Sequence, residues 1–452
     1  MKPILNLPIE TRAVVWLALL FVATLPQLRA ADEKPRIEGI IMGNKGIPLS
    51  NAMVVVFSAK PREGDATVCP SCYPDCGKRA RTDAAGRFII EPLNPDLLYR
   101  LAVVAKDYRP DYIKDADPTF GDVELRLKPR KYLNYPLTHH VTGKIVDSEG
   151  RPVVAAAVSV DGYRDERMGA WGGSYGSVSG RTDSLAITDD NGEFVVYCTN
   201  GVSAVIATVD ARGLAKRRMW LDSGKAHLIR MKKGVTVTGR LLKDGQPLPS
   251  VKVAMNTEER ESSVFMRGWE AATDKDGRFV LPNVPANMRF NLYTRMKDMS
   301  LLGVGLATQP VATGPDETTL KVGDLAAKPA HKIQGRIVMS DGQPVPLQTQ
   351  IYLGLESGYD SQNQVVGDDG AFEFSGVPAE QIALSIRVRN YRVSAKNPSK
   401  DWLNPGRLVG RLEGDLKDFV IHIEPGEFER DAGPADGGER QPREKPLRGA
   451  KL

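Results

Sequence analysis

The sequence is poor in the residues that most often carry catalysis and metal binding. It has 4 cysteines and 5 histidines among 452 residues. Zinc peptidases need histidine and glutamate at helical spacing, as in His-Glu-x-x-His or His-x-x-Glu. Neither motif begins at any of the histidines, which are His139, His140, His227, His331 and His422. The sequence therefore predicts no zinc peptidase centre, and we expect no cofactor and no metal.

An excess of charge of one sign is also missing. The formal net charge is +5, from 61 basic and 56 acidic residues. Part of that excess lies in residues 1–30, where Lys2, Arg12 and Arg29 face only Glu10. Proteins that bind nucleic acid concentrate basic residues on one face. We therefore expect no nucleic-acid partner.

Long apolar runs are limited to the N-terminus. Residues 13–25 form an apolar stretch that follows Lys2 and Arg12 and ends before Pro26. The stretch is shorter than the about 20 residues that a membrane-spanning helix needs. Basic residues before a short apolar core are typical of a secretory signal peptide. We expect residues 1–30 to be removed and the mature chain to be soluble and exported, to the periplasm, the cell surface or the medium. An uncleaved anchor is the alternative.

An internal repeat is the main feature that the sequence does contain. Four segments open with a strand, a glycine and a second strand, followed by a turn that closes on Gly-x-Pro. The opening glycines are Gly39, Gly143, Gly239 and Gly335. Their near-constant spacing of about a hundred residues indicates one folding unit copied in tandem.

The second half of each unit repeats too. The motif Thr-Asp-x-x-Gly-x-Phe stands at 82–88, 188–194 and 273–279, and a version without the Thr-Asp pair stands at 366–372. Aspartate and glycine favour turns, so the motif predicts a hairpin turn followed by a core aromatic, as in Gly277 and Phe279. Clusters such as Asp189–Gly192 also suggest calcium, but no bidentate glutamate follows at the required position.

Short β-branched or alternating runs fill the rest of each unit. About seven such strands per hundred residues predict an all-β chain of tandem Greek-key β-sandwiches. We place the four modules at 36–130, 139–234, 235–330 and 331–426. The remaining residues, 427–452, are rich in glycine, proline and charge, and we expect them to be disordered.

The combined motif resembles the carboxypeptidase regulatory-like domain. Gly-x-apolar leading to Gly-x-Pro, an apolar strand and Thr-Asp-x-x-Gly-x-Phe cover residues 36–426, most weakly in the fourth unit. The resemblance implies a transthyretin-like (prealbumin-type) sandwich, often grouped with carbohydrate-binding-like folds. The tandem arrangement of modules is also similar to that of multi-module exported proteins of bacterial envelopes. In the name-giving enzymes the module follows a peptidase domain, which we do not find, and fold alone does not fix function.

Three of the cysteines lie close together. Cys69, Cys72 and Cys76 fall in the first module, and Cys198 falls in the second. An exported compartment favours disulfides. We favour Cys72–Cys76, which leaves Cys69 with Cys198 either as a pair that spans two modules or as two thiols. A metal or redox site is the alternative, although zinc normally takes four ligands and only three are local.

The longest loops are the best place for binding. They are predicted at 58–81, 161–187, 256–272 and 354–366. Their aromatic residues are Tyr73, Tyr163, Trp171, Tyr175, Trp269 and Tyr359. Loops on a rigid scaffold often carry function, and exposed aromatics favour interfaces and sugar faces. The alternative is that these aromatics only cap the sandwich ends.

These observations predict a non-catalytic structural or interaction protein of the cell envelope. Its partner would be an unidentified envelope protein or polysaccharide. A carbohydrate-binding protein that uses the loop aromatics is the alternative. A third hypothesis, an enzyme, would use the cysteine segment or the Gly-x-Ser-x-Gly pattern at Gly172–Gly176. That pattern lacks the strand, strained turn and helix that such a nucleophile requires.

Overall fold

The computed structural model describes residues 34–62, 73–130, 134–165, 170–172, 180–261, 265–397 and 406–426. The predicted signal peptide and C-terminal tail lie outside these ranges. Within them the chain is almost entirely β, and its α-helix content is the five-residue α1 (Met296–Ser300). No helix in this part of the chain is long and apolar enough to cross a membrane. The predicted all-β class is confirmed.

The first sandwich consists of a three-stranded and a four-stranded sheet. Its strands are β1 (Ile37–Met42), β2 (Met53–Pro61), β3 (Arg79–Arg81), β4 (Arg87–Ile90), β5 (Leu97–Val104), β6 (Asp111–Ala116) and β7 (Val123–Arg126). The sheet orders are β4-β1-β7 and β3-β2-β5-β6. A short 3-10 turn, Asn44–Gly46, follows β1.

The second sandwich repeats this plan. Its strands are β8 (Val141–Val146), β9 (Ala157–Asp165), β10 (Ala170–Gly172), β11 (Leu185–Ile187), β12 (Glu193–Val196), β13 (Val202–Asp210), β14 (Arg217–Asp222) and β15 (Ala226–Arg230). The sheet orders are β12-β8-β15 and β10-β9-β13-β14, and β11 also pairs with β9. The 3-10 turn Leu137–His139 precedes β8.

The third sandwich has a longer closing strand than the first two. Its strands are β16 (Val235–Lys243), β17 (Gln246–Pro247), β18 (Lys252–Thr257), β19 (Arg267–Ala272), β20 (Arg278–Val284), β21 (Arg289–Thr294), β22 (Val304–Gly305), β23 (Gln309–Ala312) and β24 (Thr319–Pro329). One sheet has the order β17-β16-β24-β22 with β20 also on β16, and the other has the order β19-β18-β21-β23. Helix α1 lies between β21 and β22.

The fourth sandwich has two four-stranded sheets. Its strands are β25 (His331–Met339), β26 (Gln350–Leu355), β27 (Ser361–Val365), β28 (Ala371–Val377), β29 (Gln381–Ile386), β30 (Tyr391–Val393), β31 (Arg407–Arg411) and β32 (Leu416–Pro425). The orders are β28-β25-β32-β30 and β27-β26-β29-β31. In all four sandwiches the first strand pairs in parallel with the closing strand.

The two sequence landmarks of the repeat meet in space. Gly239 on β16 lies opposite Phe279 on β20. A Cβ atom at Gly239 would come within 2.6 Å of Cζ of the Phe279 ring, so only glycine fits there. The other sandwiches repeat this pairing as Gly39–Phe88, Gly143–Phe194 and Gly335–Phe372. The tight contact with the phenylalanine ring recurs at Gly143 and Gly335, whereas a Cβ atom at Gly39 would first meet the Val123 carbonyl oxygen, at 2.0 Å.

The Thr-Asp-x-x-Gly segment is a turn that its own side chains hold together. Oδ1 of Asp274 accepts backbone hydrogen bonds from Asp276 and Arg278 at 2.9 and 2.8 Å. Gly277 has a φ of +73°, where a side chain would be strained. The Oγ1 atom of Thr273 accepts a hydrogen bond from the backbone N–H of Val251. These contacts confirm the turn interpretation and leave the Asp274 carboxylate bound to backbone amides.

The four predicted loops each contain a strand, so their prediction as continuous loops is wrong. Strands β3, β11, β19 and β27 fall inside them and pair with the strand that follows Gly-x-Pro. Their sequences give little signal: β27 reads Ser-Gln-Asn-Gln-Val. Short polar strands are typical of sheet edges, where apolar alternation is weak.

Candidate functional site

The first and second sandwiches share an apolar junction. Met53, Val55 and Ala102 of the first sandwich form a buried cluster with Ile187 of the second. Strand β2 is buried on both faces over most of its length. One face therefore packs on the first core and the other packs on the neighbouring sandwich.

A buried carboxylate strengthens the same junction. Asp183 of the second sandwich is 1% exposed and forms ion pairs with Arg130 and Arg109, which precede that sandwich. Burial raises the pKa of Asp183, and the two guanidinium groups oppose that effect. The Arg130 guanidinium also lies 4.4 Å from the centre of the Tyr197 ring. Two exposed ion pairs, Arg79 and Arg81 with Asp190, add weaker contacts at the rim.

A cleft opens at this junction. Its volume is about 390 Å³, at the lower end of ligand pockets. Both sandwiches contribute to its lining, which consists of Phe57, Arg100, Pro110, Asp111, Tyr112, Ala157, Ser159, Ser184, Leu185 and Asp210. The cleft combines an arginine, two carboxylates, hydroxyl groups and two aromatic rings, so it suits a polar ligand.

The aromatic wall of the cleft holds the arginine in place. The Arg100 guanidinium lies 3.7 Å from the centre of the Tyr112 ring and 5.9 Å from that of Phe57. The two rings pack against each other with centroids 5.5 Å apart. Burial raises the pKa of Tyr112 to about 12, so its hydroxyl stays protonated at neutral pH. The cation is thus fixed by ring contacts.

The third and fourth sandwiches are joined more extensively. Ala254, Tyr293 and Met296 of the third sandwich are buried members of the fourth sandwich's core cluster. Tyr293 is 2% exposed, and burial raises the pKa of its hydroxyl to about 12. The two sandwiches therefore share part of one core.

Polar contacts fasten the rim of this second junction. Nη2 of Arg260 donates to the carbonyl oxygens of Glu356, Ser357 and Gly358 at 2.9, 2.7 and 3.1 Å. The Asn256 and Asn291 side-chain amides donate to the same Ser357 carbonyl, at 3.3 and 3.0 Å. A single loop of the fourth sandwich is thus held by three side chains of the third.

An acidic side chain of the fourth sandwich completes the contact. Asp360 accepts a hydrogen bond from the backbone N–H of Met296 at 2.7 Å and forms an ion pair with Arg295 at 3.1 Å. Arg295 also pairs with Glu270 at 2.6 Å. The contact therefore engages α1, which the sequence did not predict.

The second and third sandwiches touch through fewer groups. The Asn283 side-chain amide donates to the Lys233 carbonyl at 2.8 Å, and Lys233 pairs with Glu317 at 3.0 Å. The Lys216 ammonium lies 5.7 Å from the Trp269 ring. The buried apolar clusters described above instead join the first sandwich to the second and the third sandwich to the fourth.

The predicted loop position of Trp269 is wrong. This residue lies on β19, is 5% exposed and belongs to the core cluster of the third sandwich. Its ring meets Phe290 edge-on, with centroids 5.4 Å apart, and its Nε1 donates to the Asn283 carbonyl at 3.2 Å. The two buried positions Trp269 and Ala271 alternate with more exposed ones, which is a strand signal too short to recognise.

The other predicted aromatics lie in different surroundings. Tyr359 is partly exposed where the third and fourth sandwiches meet, with its ring 5.5 Å from that of Phe265 and 4.3 Å from the Arg267 guanidinium. Tyr73 packs on the first core and Tyr163 on the second. Trp171 lies on β10, and Tyr175 lies outside the described residues. The four aromatics whose side chains are described, Tyr73, Tyr163, Trp269 and Tyr359, therefore lie in four different surroundings.

No disulfide is seen within the described ranges, where Cys76 and Cys198 are both buried. Cys69 and Cys72 lie outside those ranges, so the predicted Cys72–Cys76 pair stays a prediction. Cys198 is fully buried in the second core, and the alternative that pairs it with Cys69 also stays a prediction.

Cys198 should resist alkylation in the native protein. Burial raises the pKa of its thiol to about 12, and only the thiolate is a strong nucleophile. We expect no labelling by iodoacetamide in mildly alkaline buffer and complete labelling after unfolding in guanidinium without reductant, read by mass spectrometry. Labelling of the native protein would contradict the burial. A thiol that reacts only after reduction would instead show a disulfide at Cys198, as in the predicted Cys69–Cys198 alternative.

The histidines have structural surroundings. Nδ1 of the buried His140 accepts a hydrogen bond from the Cys198 backbone N–H at 3.0 Å, and burial lowers the pKa of its ring. His227 and His422 lie on the closing strands β15 and β32. In the part of the chain that the structure describes, no three His, Cys, Asp or Glu side chains group as metal ligands.

Comparisons with known proteins assign no family to this chain. No protein-family model and no curated protein sequence matches the chain. Similar solved structures include the Bacillus anthracis TIE protein, at 9% identity and a TM-score of 0.19, over 87% of this chain and 76% of that one. A streptococcal ancillary pilin has 11% identity and a TM-score of 0.22, over 64% and 98%. The minor pilin GBS52 of Streptococcus agalactiae has 11% identity and a TM-score of 0.24, over 46% and 100%.

Likenesses at these TM-scores carry no argument about function. Membership of the carboxypeptidase regulatory-like family therefore stays a prediction, which rests on the sequence motifs alone.

Proposed function

We propose that this chain is a non-catalytic structural or interaction protein of the cell envelope. The observation that carries the proposal is the packing of the sandwiches in two pairs, the first with the second and the third with the fourth. Packed junctions of buried apolar side chains and ion pairs limit relative motion, unlike the open linkers between independent domains. Each packed pair holds its exposed surfaces at a set distance from one another, which suits a spacer or a scaffold.

Two sequence features support the envelope location. The N-terminal pattern is that of a secretory signal peptide. The repeated motif resembles the carboxypeptidase regulatory-like domain, which recurs as tandem modules in exported proteins. In this proposal the folding units are residues 36–130, 139–234, 235–330 and 331–426.

Carbohydrate binding through the loop aromatics is a weaker candidate. This hypothesis relied on two tryptophans, and the ring of one of them, Trp269, is buried in a core. Tyr359 is in contact with Phe265 and Arg267 at a junction. Tyr73 and Tyr163 pack on two different cores, the first and the second.

Photo-crosslinking in the source cells tests the proposal. A crosslinking amino acid would replace Phe120 or Leu347, two apolar side chains that are 81% and 80% exposed. We expect the chain in the exported fraction, shortened at its N-terminus, and crosslinked to an envelope component. The matched control is the same substitution at Lys275, an exposed polar position on a turn. Recovery from the cytoplasm, or no crosslink beyond the control, would contradict the proposal.

A further inference from the structure

The cleft at the first junction contains a cation without an anionic partner. In the part of the chain that the structure describes, the Arg100 side chain makes no hydrogen bond and no ion pair. Its Nε atom is buried and unsatisfied. The planar guanidinium presents paired N–H donors that match a carboxylate. Because the Tyr112 and Phe57 rings already position this group, it is ready to bind an anion with little loss of freedom.

The same cleft offers hydroxyl groups that have no protein partner among the described residues. Neither the Ser159 nor the Ser184 side chain makes a hydrogen bond there, and neither does the Tyr112 hydroxyl. Hydroxyl groups can donate and accept, which is the chemistry that recognises other hydroxyl groups. The lining therefore suits a ligand with several hydroxyls beside its charged group.

Two carboxylates restrict the charge of that ligand. Asp111 and Asp210 line the cleft, and Asp210 is 3.4 Å from the Lys216 ammonium. Like charges placed together are unfavourable, so a doubly charged phosphate or a polyanion would be repelled more strongly than a single carboxylate. A single carboxylate can pair with Arg100 while its neighbouring hydroxyls donate to the aspartates.

We propose that this cleft binds a sugar acid, meaning a saccharide unit that carries one carboxylate. The carboxylate pairs with Arg100, and the ring hydroxyls bind Ser159, Ser184 and Asp210. Since β5 and β6 supply one wall and β9 and β13 the other, the site exists only while the two sandwiches are packed together. Sites between domains are a common place for ligands.

Calorimetric titration of the full chain tests the proposal with named probes. D-glucuronate and D-galacturonate are the acids, D-glucose and D-galactose are the matched neutral sugars, and acetate and inorganic phosphate are the simple anions. We expect saturable binding of at least one uronate, about tenfold or more tighter than that of its neutral counterpart. The neutral sugar binds more weakly because it has no carboxylate to pair with Arg100. Acetate and phosphate should bind more weakly than that uronate.

Two substitutions locate the binding. Arg100→Gln should weaken uronate binding about tenfold or more and leave the neutral sugars unchanged. Ser184→Trp should abolish binding by filling the cleft, and Ser184 is exposed, so this variant remains folded even where Arg100→Gln does not. The matched control, Arg126→Gln, removes an exposed arginine elsewhere on the first sandwich and should keep the wild-type affinity.

Each contrary result overturns the proposal. One such result is that no uronate binds saturably. Another is that a neutral sugar or phosphate binds as tightly as the uronates. The third is that the affinity for uronate is unchanged in a folded Arg100→Gln or Ser184→Trp protein. None of them bears on the envelope role, which the crosslinking experiment tests separately.

Discussion

Trp269→Ala should destabilise the third sandwich by about 3–5 kcal/mol, as much as Phe279→Ala. The indole is 5% exposed and packs edge-on against Phe290. Its removal would leave a cavity and would also remove the hydrogen bond that its N–H donates to the Asn283 carbonyl. Denaturant unfolding of the full chain, followed through a probe in the third sandwich, measures the loss.

An exposed aromatic provides the control. Phe120→Ala removes a ring that is 81% exposed, so the free energy of unfolding should change by no more than about 0.5 kcal/mol. Should Trp269→Ala behave like Phe120→Ala while Phe279→Ala unfolds the sandwich, the indole lies on the surface and the loop interpretation is restored.

The sequence predicted the parts of the fold that depend on local geometry. Gly277 needs a positive φ, and Asp274 binds the amides of its own turn. Because both requirements are local, the two residue types recur in the sequence at a fixed spacing that predicts the turn. The pairing of Gly239 with Phe279 explains the repeat after the fact. The class of protein fold followed from these signals and from the many short strands.

The junctions could not be predicted, because they depend on how whole sandwiches pack. A signal was nevertheless present. Met53–Phe57 is a continuous apolar run, and a strand that is exposed on one face should alternate instead. Strand β21 is also buried at five of its six positions, but its sequence, Arg-Phe-Asn-Leu-Tyr-Thr, is not a continuous apolar run and gives no such signal. Unbroken apolar strands in an otherwise alternating sandwich indicate a second packed face.

The candidate cleft could not be predicted from the sequence for a related reason. Arg100 and Tyr112 lie on neighbouring strands of one sandwich, whereas Ser159 and Ser184 come from the next. No spacing rule joins residues across a junction between two modules. The loops that the sequence predicted as binding loops, because of their aromatics, are partly strands, and Trp269 is a core residue.

Tyr293→Ala should have a comparably large effect, because this ring belongs to two sandwiches. It lies on β21 of the third sandwich, is 2% exposed and packs in the core cluster of the fourth. Loss of a buried large aromatic costs about 3–5 kcal/mol. Phe290→Ala is the matched comparison, since Phe290 lies on the same strand and is buried in the third core alone.

The central claim is that the third and fourth sandwiches are coupled through a shared core. Hydrogen exchange by mass spectrometry on the full-length Tyr293→Ala and Phe290→Ala variants tests it most directly. We predict that Tyr293→Ala accelerates exchange in β26 and β29 of the fourth sandwich as well as in β21, and does so more than Phe290→Ala. Faster exchange confined to the third sandwich in the Tyr293→Ala variant would contradict the claim and would describe independent modules.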